Sequence, residues 1–312
     1  VTFKLYTFLL MFDLIIIGSG PAGLSAGIYA GRYKLKTLII GEMPGGIITQ
    51  SHLIENYPGY ESISGTDLMI KFAEHANKSG VEIMQEKIVE VGKNGNNFIL
   101  KTSTGKILET KTILIATGNK YRKLGVPGEK EFLGAGVSYC ATCDGMFFRN
   151  KDVVVVGGGN TAITEALYLA EICNKVHIVH RRDQFRAEEI RLEKAKNHEK
   201  IEMHLNNGVE EIKGNGFVEE IVLKNGEIIK AGGIFIAVGN EPDTSVFDSL
   251  NLEKDENGYI KTKPNQATSC PGIFAAGDIS TGSNKFKQVI MAAAEGSLAA
   301  DSVHNYLQSL RD

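Results

Sequence analysis

The apolar positions of this chain fall into short unbroken runs, most of them ending at glycine and two of them followed by small residues at helical spacing. Phe12 to Ile17 (FDLIII) is the first run. An apolar stretch of this length, without alternation, suits a strand covered on both faces in a parallel sheet. From Pro21 the pattern changes to a helical period, and Lys36 to Ile40 predicts the next strand. The same succession returns at KDVVVVGGGNTAITEALYLAE, followed by a strand from Lys175 to Val179. Two runs, Thr112 to Gly118 (TILIATG) and Gly233 to Gly239 (GIFIAVG), read as the strands that finish each succession, which sets boundaries near 120 and 248. GIFAAGDISTG then predicts one more strand, ahead of a long helical stretch from Lys287 to Leu307. Because this last piece completes the first succession, the second is expected to be an insertion. The opening VTFKLYTFLLMF resembles the apolar part of an export signal, but no small-residue cleavage site follows and Asp13 interrupts it. Residues 1–10 are expected to be an extension outside the fold.

The chain holds 35 glycines in 312 residues, about 11% against a usual share of about 7%. Three of them explain what the first turn is for. Gly18, Gly20 and Gly23 have the spacing in which the first permits a tight turn, the second lets backbone approach a pyrophosphate, and the third lets helix pack on strand. The helix N-terminus adds the positive end of a dipole. Glu42, 19 residues after Gly23, closes the next strand where a carboxylate can accept from ribose hydroxyls. Gly157, Gly159 and Ala162 repeat the spacing, and Arg181 stands 19 residues after Ala162. The charge is reversed there: Arg181 and Arg182, with Arg186 beyond, suit a ribose 2′-phosphate. One site therefore suits FAD or NAD and the other NADP, the plainer alternative for the arginines being a solvated basic stretch. Asp278 at its strand end can hold a ribityl hydroxyl, or can be a simple helix-entry residue. The expected fold is α/β, with two Rossmann-like dinucleotide-binding domains of the three-layer ββα type. The FAD domain is 11–120 with 249–312, and 121–248 is the NADPH domain inserted into it.

A hydrophobic share of 43%, a charged share of 23% and a net charge of −3 give no sign of disorder, of a nucleic-acid surface or of a membrane protein. Four cysteines are too few to staple such a chain, so a reducing, cytoplasmic setting is expected. Cys140 and Cys143 are two residues apart, the spacing of a reversible disulfide with an activated thiol. Zinc would need four ligands, and no second C-x-x-C exists, so no metal is expected. Two bystander thiols remain the bland reading. Asp144 is adjacent and could donate a proton, while Cys173 and Cys270 read as small buried residues. Together these pieces imply hydride from NADPH to a flavin, and electrons from the flavin through a dithiol to another disulfide. Whether nicotinamide and cysteines use one flavin face in turn, which needs a domain rotation, or one face each is left open.

The run of motifs resembles the bacterial-type, low-molecular-weight thioredoxin reductases over Phe12 to about Leu307. It comprises GSGPAG, the pair Gly45-Gly46, ENYPG (Glu55 to Gly59), CATCDG, GGGNTA, HRRDQFRA, AAGD and KQV, in family order. The resemblance implies an FAD-containing homodimer in which Cys143 faces the flavin, Cys140 attacks the disulfide of thioredoxin, Asp144 serves as acid and the NADPH domain rotates. It assigns FAD to Gly18, Gly20, Pro21, Ala22, Gly23, Glu42, Gly45, Gly46, Asn56, Ala116, Thr117, Gly118, Gly277, Asp278, Lys287, Gln288 and Val289. It assigns NADPH to Gly157, Gly159, Asn160, Thr161, Ala162, His180, Arg181, Arg182 and Arg186. The chain departs from the family at Ile47, where Gln is usual, at Lys287, where Arg is usual, and at Thr164 and Asn240, where Glu and His are common. The rival readings are a related flavin disulfide reductase or dithiol oxidase with another donor, such as ferredoxin, or another dithiol substrate, and a flavin-binding sensor or interaction module without turnover.

Overall fold

The structure is a computed structural model that describes residues 11–51, 54–282 and 286–311. The expected extension, 1–10, lies outside them. The chain divides into two compact units, Val1–Lys120 with Glu241–Asp312, and Tyr121–Asn240.

The first unit opens with β1 (Met11–Ile17), α1 (Pro21–Arg32), β2 (Thr37–Ile40), α2 (Gly65–Lys78) and β3 (Glu82–Met84). It continues through β4 (Ile88–Asn94), β5 (Asn97–Thr102), β6 (Ile107–Ile115) and β7 (Asn119–Tyr121). The second unit follows with β8 (Val137–Ser138), α3 (Ala141–Asp144), β9 (Asp152–Val156), α4 (Asn160–Ala170), β10 (Lys175–Val179), α5 (Glu189–Lys196) and β11 (Ile201–His204). Then come β12 (Val209–Gly214), β13 (Val218–Leu223), β14 (Ile228–Lys230) and β15 (Gly233–Ile236). The chain returns through β16 (Asn240–Pro242), which pairs with β7, to β17 (Ile273–Ala275) and α6 (Val289–Ser309).

In the first unit β3, β2, β1 and β6 lie side by side and parallel. The far edge of β6 is shared: Ile107 to Thr110 pair with antiparallel β5, and Ile113 to Ile115 pair with parallel β17. This sharing is what lets a C-terminal strand finish an N-terminal sheet. The apolar runs are unbroken because both faces are covered: Leu14, Ile16 and Ile39 pack with α1, α2 and α6, whereas Ile15, Ile17, Leu38 and Ile40 pack with β4, β5 and Phe247.

The second unit repeats the plan with the order β11-β10-β9-β15-β8, all parallel. Val153, Val155 and Ile178 face α4 and α5, and Val154, Val156 and Val179 face the antiparallel ribbon β12-β13-β14. Two α/β units, each a parallel sheet between helices and antiparallel strands, are the expected fold class. Among the described residues no helix is long and apolar enough to cross a membrane.

Candidate functional site

The two glycine turns are built alike. The Gly18 N–H donates to Ile40 O at 2.7 Å and the Gly157 N–H to Val179 O at 3.0 Å, so each turn is tied to the end of the neighbouring strand. Gly18 has φ +118° and Gly157 φ +154°, and a Cβ there would meet the carbonyl oxygen of Ala116 at 2.1 Å or of Ala237 at 2.3 Å. Only glycine fits. The third position differs: a Cβ on Gly23 would lie 1.9 Å from Gly18 O, whereas the second unit accommodates Ala162, fully buried, at that point. The middle glycines are the open ones. A Cβ on Gly20 would meet nothing nearer than 3.7 Å, and one on Gly159 nothing within 4 Å. A jammed first glycine ahead of an open middle one is what a turn needs if bare backbone is to meet a pyrophosphate, so both turns fit a dinucleotide.

Around the first turn, Pro21 starts α1 and Gly45 N–H donates to Ser19 O at 3.0 Å, drawing the Gly45-Gly46 loop onto the fingerprint. Ala116 is buried beside the turn, with Thr117 exposed and Gly118 at φ +66°. Glu42 lies just beyond β2, where it pairs with Lys87 at 3.2 Å; both side chains are largely exposed, so this surface pair is weak. Asn56 Nδ2 donates to Gln288 Oε1 at 2.9 Å, and Gln288 stands at the N-cap position of α6, ahead of Val289, its side chain turned to Asn56.

Behind Gly277 stands a group the sequence reading missed. Glu295 on α6 is buried; its Oε2 accepts the Gly277 N–H at 2.7 Å, while Oε1 is sealed from solvent without a hydrogen-bond partner. Its signal in the sequence is a charge within the alanine-rich stretch VIMAAAEGSLAA. Burial, with a smaller contribution from Glu295, pushes the Asp278 carboxyl upward, and Lys287 opposes it. The Lys287 Nζ donates to Asp278 O at 3.0 Å and stands 3.4 Å from the centre of the Tyr259 ring. In the orientation that satisfies both ends of its amide, Asn119 donates to Asp278 O at 3.1 Å and accepts from Lys287 Nζ at 3.2 Å. The departure at Lys287 is thereby accommodated: one ammonium serves a carbonyl, an amide and a ring face.

At the second turn Asn160 opens α4, and its Oδ1 accepts the Glu188 N–H at 2.7 Å; Thr161 beside it is exposed. Arg181, Arg182 and Arg186 are exposed, and among the described residues none is held in an ion pair. The Arg186 N–H donates to Gly158 O at 2.7 Å, which fastens the arginine segment to the glycine turn. His180 is buried against Gly158, stacks on Phe185 and bonds Gln184 O at 3.1 Å. Burial, then the three arginines, lower its pKa. It orders the arginine loop from inside. The departure at Thr164 is taken up by Arg191, whose Nη1 donates to it at 2.9 Å.

Cys140 and Cys143 are joined in a disulfide, with Cα atoms 5.4 Å apart. Cys140 is buried and Cys143 exposed. The Cys143 N–H points at Cys140 Sγ, 3.1 Å away, as a cap on α3. Asp144 is steered by Ser138, whose Oγ donates to Asp144 Oδ2 at 2.7 Å and accepts the Cys140 N–H at 3.0 Å. Beneath the pair lies Glu165 of α4, also missed by the sequence reading. Burial pushes its carboxyl up to about 7, against the lowering effect of the Ala141 N–H bonded to it. Its Oε2 is sealed without a partner. Cys173 and Cys270 are free and buried, and burial raises the Cys173 thiol to about 11, as expected for packing residues.

Comparison with known proteins places the chain in a family. Residues 12–296 match the family described as pyridine nucleotide-disulphide oxidoreductase. A thioredoxin reductase of Bacillus subtilis (strain 168) is 43% identical over 309 residues, covering 97% of this chain and 96% of the relative. One from Helicobacter pylori (strain J99) is 45% identical over 311 residues, covering 96% and 99%. Among solved structures, thioredoxin reductase of Lactococcus lactis, in its FR conformation, is 41% identical and superposes with a TM-score of 0.90 over 96% of this chain and 99% of that one. The chain belongs to the pyridine nucleotide-disulphide oxidoreductase family, and within it to the thioredoxin reductases.

Proposed function

We propose that Cys140 and Cys143 form the working disulfide of an NADPH- and FAD-dependent reductase whose substrate is the disulfide of thioredoxin. The observation that carries this reading is the capped sulfur: Cys143 N–H aims at Cys140 Sγ. A backbone donor there stabilises a thiolate once the bond opens, and the thiolate is the nucleophile in disulfide exchange. The first turn, with Glu42, Asn56, Asp278, Lys287, Gln288 and the Ala116–Gly118 segment, would hold FAD. The second turn, with Arg181, Arg182 and Arg186, would hold NADPH. FAD, when bound, accepts a hydride from NADPH and passes two electrons to a disulfide.

The chain's own residues do the rest. On receiving two electrons the Cys140–Cys143 bond breaks, and one of the two sulfurs takes a proton for which Asp144, held by Ser138, is the donor. Cys140 thiolate attacks the substrate disulfide and forms a mixed disulfide, expelling one substrate sulfur as a thiol after protonation. Cys143 then attacks Cys140 Sγ, which restores the internal disulfide and releases the second substrate thiol. The balance is one NADPH and one proton consumed per disulfide reduced. The family resemblance adds the expectation of a homodimer, and the small number of cysteines that of a cytoplasmic setting, where thiols are kept reduced.

The test is an anaerobic titration of FAD-loaded protein with NADPH, followed at the flavin absorbance, and then addition of oxidised thioredoxin. Flavin reduction and its reversal by thioredoxin are expected. In Cys140→Ser and Cys143→Ser, reduction of flavin should persist while reduction of thioredoxin is lost. A variant that still reduces thioredoxin at the full rate overturns the assignment. Sedimentation of the FAD-loaded protein checks the dimer.

A further inference from the structure

Away from the redox site, the edge of the second unit's sheet gathers two histidines and a carboxylate onto one point. His177 lies on β10 and His204 on β11, adjacent parallel strands in which His177 is registered against Glu202 and Val179 against His204. All three side chains therefore leave the same face of the sheet. His177 Nδ1 and His204 Nε2 stand 3.0 Å apart, and the Glu202 carboxylate reaches both, with Oε2 3.9 Å from the first and Oε1 3.8 Å from the second. Every pair of these donor atoms is within 4.8 Å. Donors about 2.0–2.2 Å from a tetrahedral zinc ion are roughly 3.3 Å from one another, so the two imidazoles need to part by a few tenths of an ångström and the carboxylate to close in by about half an ångström or more.

A second carboxylate tells which nitrogen is free. Glu227, in the turn between β13 and β14, places Oε1 3.1 Å from His204 Nδ1. That contact puts the ring hydrogen on Nδ1 and leaves the Nε2 lone pair facing His177 and Glu202, the arrangement in which an outer carboxylate orients a metal-bound imidazole. A hydrogen bond between the two imidazoles would account for 3.0 Å alone. It would leave the carboxylate, which Lys175 already pairs, without a direct bond to either nitrogen, whereas a cation between the three would engage all of them. Lys175, ion-paired with Glu202, is the competing cation, and it can keep one carboxylate oxygen when the other turns to a metal.

We propose that His177, His204 and Glu202 form a site for a divalent first-row transition ion, with zinc as the probe, one or more coordination positions being left to water. Two imidazoles and one carboxylate suit zinc, nickel or copper in preference to calcium or magnesium. Histidine donors come from two neighbouring strands whose backbones are hydrogen-bonded, so the cage is largely assembled before the ion arrives. Its effect is to clip the edge strand β11 to β10.

The experiment uses tag-free, FAD-loaded enzyme, stripped with a chelator and kept air-oxidised. The Cys140–Cys143 disulfide is then closed, and Cys173 and Cys270 are buried, so thiols do not compete. Titration with Zn2+ by calorimetry should give one equivalent per chain. Binding should be lost in a His177→Gln/His204→Gln variant, fall at least tenfold in Glu202→Gln, and fall about 10- to 100-fold in Glu227→Gln, which leaves all three ligands in place. Electron paramagnetic resonance of one equivalent of Cu2+ should show coupling to two nitrogens. Unchanged flavin reduction by NADPH certifies that each variant is folded. If the double variant fails that check, Glu202→Gln and Glu227→Gln, both altering half-exposed side chains, decide. No zinc uptake by wild type, equal uptake in wild type and variants, or a copper spectrum without two nitrogens overturns the site.

Discussion

Arg181 and Arg182 are exposed and carry no ion pair among the described residues, although the segment around them is ordered by His180, Phe185 and the bond from Arg186 to Gly158. Guanidiniums held ready but unpaired should act in binding. Replacing both by Ala is expected to raise KM for NADPH by on the order of tenfold to several hundredfold, since losing charge-assisted contacts to a partly exposed phosphate costs roughly 1.5–3 kcal/mol in all. KM for NADH should stay nearly constant and kcat should change little, because the 2′-phosphate is remote from the reacting carbon. Steady-state kinetics with both cofactors checks this; equal losses would mean that the arginines only support the fold. Glu165 makes a different prediction. Its carboxyl lies near 7 in the folded chain against 4.5 as its reference value. Between those values the folded state holds a proton that the unfolded state has released, so stability falls as pH rises from about 4.5 to 7, by on the order of 3 kcal/mol. Glu165→Gln should flatten that stretch of the stability–pH curve, measured by denaturant unfolding; an unchanged slope would refute the assignment. The offset of the arginines from a glycine turn was legible in the sequence, and the structure fastens their segment to that turn through the Arg186 N–H. Glu165 and Glu295 were not legible, because a carboxyl on a helix reads as solvent-facing until the docking of that helix is known.

Elements show the same division between local and tertiary signals. Several parallel strands were legible: Lys175–Val179 is as expected and Met11–Ile17 and Thr37–Ile40 differ by one position, whereas β3, β8 and β11 went unread and β6 starts at Ile107 where Thr112 was expected. The last helix begins at Val289 where Lys287 was expected, because Lys287 and Gln288 are used in holding Asp278 and Asn56. The antiparallel strands β12 and β13 went unread, although Val209–Gly214 and Val218–Leu223 carry the alternation of a half-covered strand. Within the two turns, the contrast between crowded and open glycines yields a prediction. Gly18→Ala combines φ +118° with a Cβ 2.1 Å from a backbone oxygen. Such a replacement should cost more than the roughly 1–3 kcal/mol of a strained residue and give little folded protein. Gly20→Ala has extended backbone, φ −82° and ψ −170°, and room for its methyl, so it should fold and melt like the wild-type apoprotein yet bind FAD far more weakly. Gly159→Ala should do the same for NADPH. Circular dichroism with flavin absorbance separates the cases; a Gly20→Ala protein with normal FAD content would mean that no pyrophosphate meets this backbone.

For the whole molecule, the consequence of two units is that each cofactor should stabilise its own. Each unit has apolar clusters on both faces of its parallel sheet, and the cluster residues of one do not recur in the other. A ligand that binds only the folded state adds RT ln(1 + [L]/Kd), about 2.7 kcal/mol at a hundred times Kd. For a unit of this size that is a rise of about 5–10 °C in Tm. FAD should therefore raise the transition of the discontinuous unit, and NADP+ that of Tyr121–Asn240. Differential scanning calorimetry resolves the two if Gly20→Ala and the Arg181→Ala/Arg182→Ala pair are run beside the wild type. Gly20→Ala should cancel only the shift due to FAD, and the arginine pair only the shift due to NADP+. Were either ligand to move both transitions equally, or the arginine pair to cancel the FAD shift, the assignment of one nucleotide to each turn would be wrong, whatever the enzyme does with thioredoxin.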